Sequence, residues 1–211
     1  MKPYYETELG RLYHGDCLEI MPHLEPVDLV LTDPPYGVGF NYKQYDDTKK
    51  NHAMKIGQWF EAFKKKSNIV AVSCGIVNIW KWPQADWVLC WHKPFSVGHS
   101  PFGANNWEPV LVYIDKGRRC ERQSDYFNAT FIKNNNKHPC PKPIAWAFEG
   151  LRILSKINEI ILDPFLGSGT TAVACERLNR RWIGVEIEEK YCEIAAKRIE
   201  NERKQLKLWS N

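Results

Sequence analysis

Short apolar segments alternate with amphipathic segments along most of the chain, a pattern typical of sheet strands joined by helices. The apolar segments are rich in β-branched and aromatic residues. They predict strands at Arg11–His14, Asp28–Thr32, Ile69–Ser73, Trp87–His92, Pro109–Ile114, Glu159–Leu162 and Trp182–Val185. Segments with helical spacing predict helices at about His52–Lys66, Pro143–Leu154, Thr170–Leu178 and Glu188–Leu206.

This alternation predicts an α/β fold of the Rossmann-like type, with helices on both faces of a mostly parallel, seven-stranded sheet. No helical segment separates Trp87–His92 from Pro109–Ile114, so these two strands predict an antiparallel hairpin at one sheet edge. The 211 residues lie within the range of one domain, and we expect a single domain over residues 1–211.

Two polar stretches, 37–51 and 116–142, match neither periodicity. Both interleave lysine or arginine with aromatic residues, a composition that suits a solvated surface or contacts with nucleic-acid phosphates and bases. Loops of this length are more often functional or disordered than simple connections.

Composition and charge argue against secreted, membrane-spanning, disulfide-rich and metal-binding proteins. The net charge of +4 is compatible with a polyanionic partner without being diagnostic of one. Seven cysteines without a C-x-x-C pair predict reduced thiols in a cytoplasmic protein, and neither a disulfide framework nor a metal site. The N-terminus has no secretory apolar region and no long apolar run follows, so neither secretion nor a membrane span is predicted.

A glycine-rich loop lies between a predicted strand and a predicted helix, in the sequence "ILDPFLGSGTTAVACERL". Gly167 and Gly169 would let backbone approach a ligand, and the following helix offers free N–H groups. A phosphate-binding P-loop is excluded because no lysine follows Gly169, and the missing third glycine makes a dinucleotide site weak. A nucleoside cofactor without phosphates remains.

Two acids flank this loop: Asp163 at its start and Glu186 at the end of the next strand. An acid in the position of Glu186 can accept hydrogen bonds from ribose hydroxyls. Two acids without a fixed cation suit a cationic ligand, and S-adenosylmethionine fits. The alternative for Glu186 is an acid favoured by the dipole at a helix start.

The tetrapeptide Asp33-Pro34-Pro35-Tyr36 follows a buried apolar strand. The residue before each proline is held extended, so Asp33 and the Pro34 carbonyl would lie together at the carboxyl edge of the sheet. Ligands of open α/β sheets bind at this edge. The alternative is a rigid turn in which Asp33 bonds its own loop.

Together these motifs resemble the DNA amino-methyltransferases in their permuted β-class arrangement, from about Gly10 to Ile199. The resemblance rests on "LYHGDCLEIMPHL" with "VDLVLTDPPYG", on "NNWEPVLVYIDKG" and "KHPCPKPIAWAFEGL", and on the glycine loop. It implies catalysis by Asp33, Pro34, Pro35 and Tyr36. It implies S-adenosylmethionine binding by Asp16, Asp33, Lys142, Asp163, Phe165, Gly167, Ser168, Gly169, Thr170, Thr171 and Glu186.

The chemistry explains why such residues would be used. The lone pair of an aromatic amine is delocalised, so acceptors at Asp33 and the Pro34 carbonyl would direct it toward the sulfonium methyl group for direct transfer. The target base would be flipped out of the duplex and stacked on Tyr36. Cys140 lies away from this motif, and no thiol nucleophile is needed; His138 and His92 are predicted to be hydrogen-bonded structural residues.

The first residue of the tetrapeptide favours the N6 amine of adenine, since aspartate there leans toward adenine and serine toward the N4 amine of cytosine. N4-cytosine methylation is the alternative within the class. A non-catalytic nucleic-acid-binding protein, or an RNA or protein-glutamine methyltransferase, are alternatives from outside it.

Two departures from the family affect specificity. Cys140-Pro141 stands where a Thr-Gln pair is common. The chain also has no room for a separate recognition domain, so 37–51 and 116–137 would have to contact double-stranded DNA and read a short or relaxed target. Dimerisation is common among such proteins, but these residues do not indicate it.

Overall fold

The computed structural model describes residues 1–93, 98–100, 103–115, 123–130 and 142–209. The strands are β1 (Tyr5–Glu6), β2 (Gly10–His14), β3 (Leu29–Thr32), β4 (Ile69–Ser73), β5 (Trp87–His92), β6 (Gly98–Ser100), β7 (Gly103–Asn105), β8 (Trp107–Ile114), β9 (Tyr126–Asn128), β10 (Ile160–Asp163) and β11 (Arg181–Glu186). The helices are α1 (Cys17–Ile20), α2 (Lys49–Lys66), α3 (Ile144–Leu154), α4 (Thr170–Leu178) and α5 (Glu189–Trp209). Short 3-10 helices cover Met21–His23 and Ile76–Lys81.

The main sheet has nine strands within the described residues, in the order β1-β2-β11-β10-β3-β4-β8-β5-β9. Strands β2, β11, β10, β3 and β4 are parallel to their neighbours in this run. Their carboxyl ends therefore meet at one edge of the sheet, where the loops that carry the two predicted motifs converge.

The predicted α/β fold is confirmed, and all seven predicted strands are present. The predicted antiparallel pair is β5 and β8, but β9 pairs in parallel with β5 and takes the edge position. The two strands of the main sheet that were not predicted, β1 and β9, are two and three residues long and carry too little pattern to detect, and β6 and β7 were not predicted either. Strands β6 and β7 form a separate two-stranded ribbon.

Helix α2 begins at Lys49, earlier than its predicted start at His52. Thr48 is its N-cap, and the Thr48 hydroxyl accepts a hydrogen bond from the backbone N–H of Asn51 at 3.3 Å. Residues 49–51 therefore belong to a helix and not to the polar loop that precedes it.

Helices cover both faces of the sheet and bury two apolar clusters. One cluster includes Trp146 of α3, Val173 of α4 and Ile199 of α5. The other includes Trp59 and Phe63 of α2, packed on the opposite face. Because side chains alternate between the faces of a strand, β3 contributes Leu29 and Leu31 to the first cluster and Val30 to the second.

Candidate functional site

One cavity lies at the carboxyl ends of the parallel strands and contains nearly all of the predicted site residues. The predicted residues that line it are Asp16, Asp33, Pro34, Pro35, Tyr36, Lys142, Asp163, Phe165, Gly167, Ser168, Thr170, Thr171 and Glu186. They come from segments that follow β2, β3, β10 and β11 and from the residues before α3. The topology therefore brings the two motifs, which are far apart in sequence, to one site.

Gly169 is the predicted residue that does not line the cavity. It is the N-cap of α4 with φ of 85°, a left-handed conformation that favours glycine. A Cβ at this position would lie 3.0 Å from the Cβ of Ala195 in α5. The glycine therefore allows α4 to pack closely against α5, and its predicted role in shaping the ligand pocket stays a prediction.

At one end of the cavity, Asp33 is bonded to Tyr36 and Lys142. The Tyr36 hydroxyl donates to Asp33 Oδ1 at 2.6 Å and lies 3.0 Å from the Ser73 Oγ. The Lys142 ammonium donates to the Tyr36 oxygen at 2.8 Å and lies 3.2 Å from the same Asp33 oxygen. One oxygen of Asp33 thus already accepts two donors.

Glu108 of β8 and Lys93, just after β5, complete this charged cluster. Lys142 is 2.9 Å from Glu108 Oε2, and Lys93 is 2.7 Å from Glu108 Oε1. Burial alone would raise the pKa of Glu108, but Lys142 and Lys93 outweigh it and the pKa is lowered. Burial also acts to lower the pKa of Lys142, yet Asp33 and Glu108 together raise it. Two acids and two ammonium groups therefore face each other as charged partners.

Burial raises the pKa of Asp33 above its ordinary value, and Lys142 opposes this effect. It also raises the pKa of Tyr36 far above its ordinary value, reinforced by the charge of Asp33, so the hydroxyl stays protonated as a donor. Gly75 and Asn78 also hold Tyr36 in position. Gly75 packs so closely against the Tyr36 ring that an added Cβ would lie 3.1 Å from it, and the Asn78 amide donates to the Tyr36 carbonyl at 2.8 Å.

At the other end of the cavity, Glu186 accepts two backbone hydrogen bonds. The N–H of Gly167 donates to Oε2 at 2.7 Å, and the N–H of Glu188 donates to Oε1 at 2.8 Å. Burial raises the pKa of Glu186 to about 7, although both hydrogen bonds act in the opposite direction. Each carboxylate oxygen has a second lone pair, so the group retains acceptor capacity for a ligand.

Asp163 and Asp16 hold the loops that enclose the ligand space. Asp163 Oδ1 accepts from the Thr32 hydroxyl at 2.8 Å and from the N–H of Phe165 at 3.1 Å. Burial raises the pKa of Asp163 to about 6. Asp16 is the N-cap of α1 and accepts from the N–H of Leu18 at 2.8 Å.

The start of α4 is tied to α5 and to the segment before α3. The Arg198 guanidinium donates to the carbonyl and to the hydroxyl of Ser168, each at 2.6 Å. The Thr170 hydroxyl donates to the Lys142 carbonyl at 3.2 Å. This last bond connects the glycine loop to the residue whose ammonium reaches Asp33.

The loop of residues 37–47 is organised around the buried carboxylate of Asp47, which is 2% exposed. That carboxylate accepts from the backbone N–H groups of Gly37, Val38 and Phe40 at 2.7–3.1 Å. The loop is anchored beyond the cavity by the N–H of Gln44, which donates to Glu188 Oε1 at 2.7 Å.

The aromatic side chains of this loop line the cavity. Phe40, Tyr42 and Tyr45 do so, and their rings continue a series of contacts through Trp59 to Phe165. The Tyr45 hydroxyl is buried without a hydrogen-bond partner among the described residues. The aromatic part of the predicted DNA-contacting stretch 37–51 thus faces the ligand space.

Several residues of the site were not identified from the sequence. Glu108 lies at the start of the segment "NNWEPVLVYIDKG". Nothing in the sequence marks it as a site residue, because its partners Lys93 and Lys142 are distant in the chain. Trp59 and Trp146 also line the cavity. The predicted loop 116–142 lies outside the described residues except for 123–130 and Lys142, as do Cys140 and His138. His92 bonds Asn128 Oδ1 at 2.7 Å, in line with the hydrogen-bonded residue that the sequence predicts.

Other site types were sought within the described ranges. No helix in them combines the length and apolar character needed to cross a membrane. The same residues contain no group of three or more histidine, cysteine or acidic side chains arranged to hold a metal ion. The described cysteines, at positions 17, 74, 90, 175 and 192, are free thiols.

Comparison with known proteins gives a family and a set of relatives. Residues 27–197 match the N6/N4 family model described as DNA methylase. The chain is 28% identical to the type II methyltransferase M.BamHI of Bacillus amyloliquefaciens, over 99% of this chain and 61% of that protein.

Two solved structures share the fold. The complex of M1.HpyAVI with S-adenosylmethionine superposes with a TM-score of 0.72 at 24% identity, covering 90% of this chain and 98% of the other. The cytosine-N4-specific PvuII DNA methyltransferase gives a TM-score of 0.72 at 19% identity, covering 92% and 88%.

Proposed function

Because the chain belongs to the N6/N4 family of DNA methylases, we propose that it transfers a methyl group from S-adenosylmethionine to the N6 amine of adenine in duplex DNA. The observation that carries this proposal is that Asp33 and Glu186 line one cavity. An acceptor for an amine and an acceptor for a ribose thus share the space in which donor and target would meet.

The residues of the cavity fit S-adenosylmethionine. Glu186 has acceptor capacity for a ribose diol, and apolar side chains such as Phe165 and Tyr45 suit an adenine ring. Asp163 and Glu186 are two acids at that end of the cavity, and negative charge there suits a sulfonium and an ammonium. When bound, S-adenosylmethionine supplies an electrophilic methyl group; Asp16, Gly167 and the loop of residues 37–47 would enclose it.

The target amine would be activated by two acceptors. Asp33 and the Pro34 carbonyl accept hydrogen bonds from its two hydrogens and so favour a pyramidal nitrogen with an available lone pair. The rigid Pro34-Pro35 pair holds both acceptors in place, and Tyr36 provides an aromatic surface for the extruded base. After transfer, Asp33 accepts the proton that the methylated nitrogen releases.

Lys142 competes with the target amine for Asp33. Its ammonium and the Tyr36 hydroxyl both contact Asp33 Oδ1 in this structure, at 3.2 and 2.6 Å. An incoming amine would displace the ammonium toward Glu108, which lies 2.9 Å from it. This displacement would leave the carboxylate free for the target without uncovering an unpaired charge.

The deciding experiment measures modified nucleosides in DNA from a methylation-deficient host that expresses this chain. Digestion and mass spectrometry should reveal N6-methyladenine, and the Asp33→Asn variant should lack it. N4-methylcytosine in its place would overturn the choice of base and keep the mechanism. Neither mark, together with intact S-adenosylmethionine binding, would overturn the DNA substrate in favour of RNA or protein.

A second candidate is N4-cytosine methylation, which shares the acceptor geometry because both amines present two hydrogens. The similarity in fold to the cytosine-N4-specific PvuII enzyme favours keeping it as the alternative. A non-catalytic nucleic-acid-binding protein is disfavoured, because such a protein would need neither the buried acceptor at Asp33 nor the one at Glu186.

A further inference from the structure

Trp80 is 90% exposed and Val77 is 69% exposed, although both lie in the folded 3-10 helix Ile76–Lys81. Residues three apart are eclipsed in such a helix, so the two side chains lie on the same face. The neighbouring Asn78 and Trp82 are buried. The helix therefore presents a two-residue apolar face to solvent from a fixed backbone; we refer to Val77 and Trp80 as the exposed face.

The exposed face lies next to the catalytic tetrapeptide. Gly75, at the start of the 3-10 helix, packs against the Tyr36 ring, where an added Cβ would lie 3.1 Å from it. The Asn78 amide donates to the Tyr36 carbonyl at 2.8 Å. The 3-10 helix that carries Val77 and Trp80 is thus in direct contact with Tyr36, on which the extruded base would stack.

Exposed lysines lie on this 3-10 helix and at the start of α2. Lys49 and Lys50 occupy the first turn of α2, which contains no acidic residue. Cations at a helix N-terminus are disfavoured by the helix dipole, so helix stability does not account for them. Lys81 lies close to α2, since burial and the charge of Lys81 together lower the pKa of His52. Asp46, an exposed acid that precedes α2, accepts a hydrogen bond from the Thr48 hydroxyl at 3.3 Å through its carboxylate.

We propose that the exposed face of Val77 and Trp80 is an apolar wedge that contacts the duplex beside the extruded target base, while Lys49, Lys50 and Lys81 contact phosphates. This inference rests on the proposed function and specifies how the duplex is opened. Apolar side chains inserted at a base step offset the stacking that is lost when a nucleotide leaves the helix. An aromatic ring suits this role because it stacks on any base.

The test compares Trp80→Ala with the wild-type protein on two DNA duplexes that carry the mapped target site. One duplex is fully paired, and the other has a mismatch opposite the target, which makes extrusion easier. Single-turnover methylation by Trp80→Ala should be at least about tenfold slower on the paired duplex and within about threefold of wild type on the mismatched one. Trp80→Phe should retain most of the rate on both.

The control is Leu208→Ala, which truncates a residue that is 77% exposed in the last turn of α5. It should methylate both duplexes at the wild-type rate. Thermal unfolding and S-adenosylmethionine affinity should be unchanged in Trp80→Ala, since its side chain packs against little of the protein.

If Trp80→Ala methylates the paired duplex at the wild-type rate, the proposal that Val77 and Trp80 form a wedge is wrong, while the proposed methyltransferase function is unaffected. An equal loss on paired and mismatched DNA would also overturn the wedge, because the defect would then not lie in opening the duplex. A wild-type protein that binds S-adenosylmethionine but neither binds nor methylates duplex DNA would overturn the proposed function and the wedge together.

Discussion

The Lys142 ammonium lies 2.9 Å from Glu108 Oε2 as well as 3.2 Å from Asp33 Oδ1, so Asp33 is not its only anionic partner. Glu108 is in turn bonded to Lys93 at 2.7 Å, so its carboxylate is fixed by two cations. Glu108 and Lys142 form a buried ion pair in which each partner stabilises the charge of the other. Glu108 can therefore hold the Lys142 ammonium when it leaves Asp33.

Substitution of Glu108 by glutamine should slow methyl transfer by about tenfold to a hundredfold, equivalent to about 1.5–3 kcal/mol for a hydrogen bond to a charged group. With Glu108 neutral, Asp33 becomes the nearest anion to Lys142, and the ammonium would compete more strongly with the target amine for the Asp33 carboxylate. S-adenosylmethionine affinity should be unchanged. The measurement is the single-turnover rate together with a cofactor titration.

Glu149→Gln provides the matched control, because Glu149 forms an exposed ion pair with Arg152 on α3. It should have the wild-type rate. If Glu108→Gln lowers cofactor affinity in proportion to the rate, then Glu108 supports the cofactor site and not the position of Lys142.

Replacing Asp33 with asparagine should reduce methyl transfer by about a hundredfold or more while cofactor binding persists. The amide preserves the volume of the side chain but presents only one acceptor oxygen and no charge. Transfer is followed with a radiolabelled methyl donor and binding by calorimetry. A variant that methylates DNA at close to the normal rate would show that the amine is activated by another group.

Cofactor affinity should weaken as the pH falls below about 7. The raised pKa of Glu186, about 7, means that its carboxyl becomes protonated near neutrality in the free protein. Ribose hydroxyls donate more strongly to the carboxylate, so binding favours the ionised form. Dissociation constants should rise about tenfold between pH 8 and pH 6.

The ligand for this titration is 5′-methylthioadenosine, which has the ribose and adenine but lacks an amino group that titrates in the same range. Glu186→Gln should bind more weakly at pH 8 and show a flatter profile. A wild-type profile that does not change from pH 8 to pH 6 would place the ribose contact elsewhere.

Substitution of Asp47 by asparagine should loosen the loop of residues 37–47. The Asp47 carboxylate accepts three backbone N–H groups, and an amide cannot serve all of them, which costs about 1–3 kcal/mol for an N–H left unpaired. Protease cleavage within the loop should become faster, and S-adenosylmethionine should bind more weakly because Phe40, Tyr42 and Tyr45 line its cavity.

Asp46→Asn is the comparison, since Asp46 is an exposed neighbour whose carboxylate meets only the Thr48 hydroxyl in the described contacts. It should leave both cleavage and affinity unchanged. Equal effects of the two substitutions would indicate general loss of charge and not loss of the loop's internal bonds.

Gly169→Ala and Gly57→Ala should change the free energy of unfolding in opposite directions. Gly169 has φ of 85° and faces Ala195, so a methyl group should destabilise the protein by about 1–2 kcal/mol. Gly57 lies in α2 with no atom within 4 Å of an added Cβ, so alanine should stabilise the helix by about 0.5–1 kcal/mol. Urea unfolding measures both; a stabilised Gly169→Ala would contradict the packing role.

The main elements and the family could be predicted from the amino-acid sequence. All seven strands predicted from periodicity are present. The glycine loop and the Asp33–Tyr36 tetrapeptide can be recognised in the sequence because the residues of each are contiguous. Parallel strands then bring their carboxyl ends together by geometry, so the cavity at that edge could be foreseen from the order of the elements.

Contacts between side chains that are distant in the chain could be read from the folded structure alone. Lys142, Glu108 and Lys93 form one cluster because β5, β8 and the segment before α3 converge, and no local pattern records that convergence. In the sequence Gly169 indicates only a permissive backbone, because the Cβ of Ala195 that it packs against belongs to another helix. The sequence does not tell whether Phe40, Tyr42 and Tyr45 lie on the surface or in a pocket. In the structure, three backbone hydrogen bonds to Asp47 shape the loop so that these rings line the cavity.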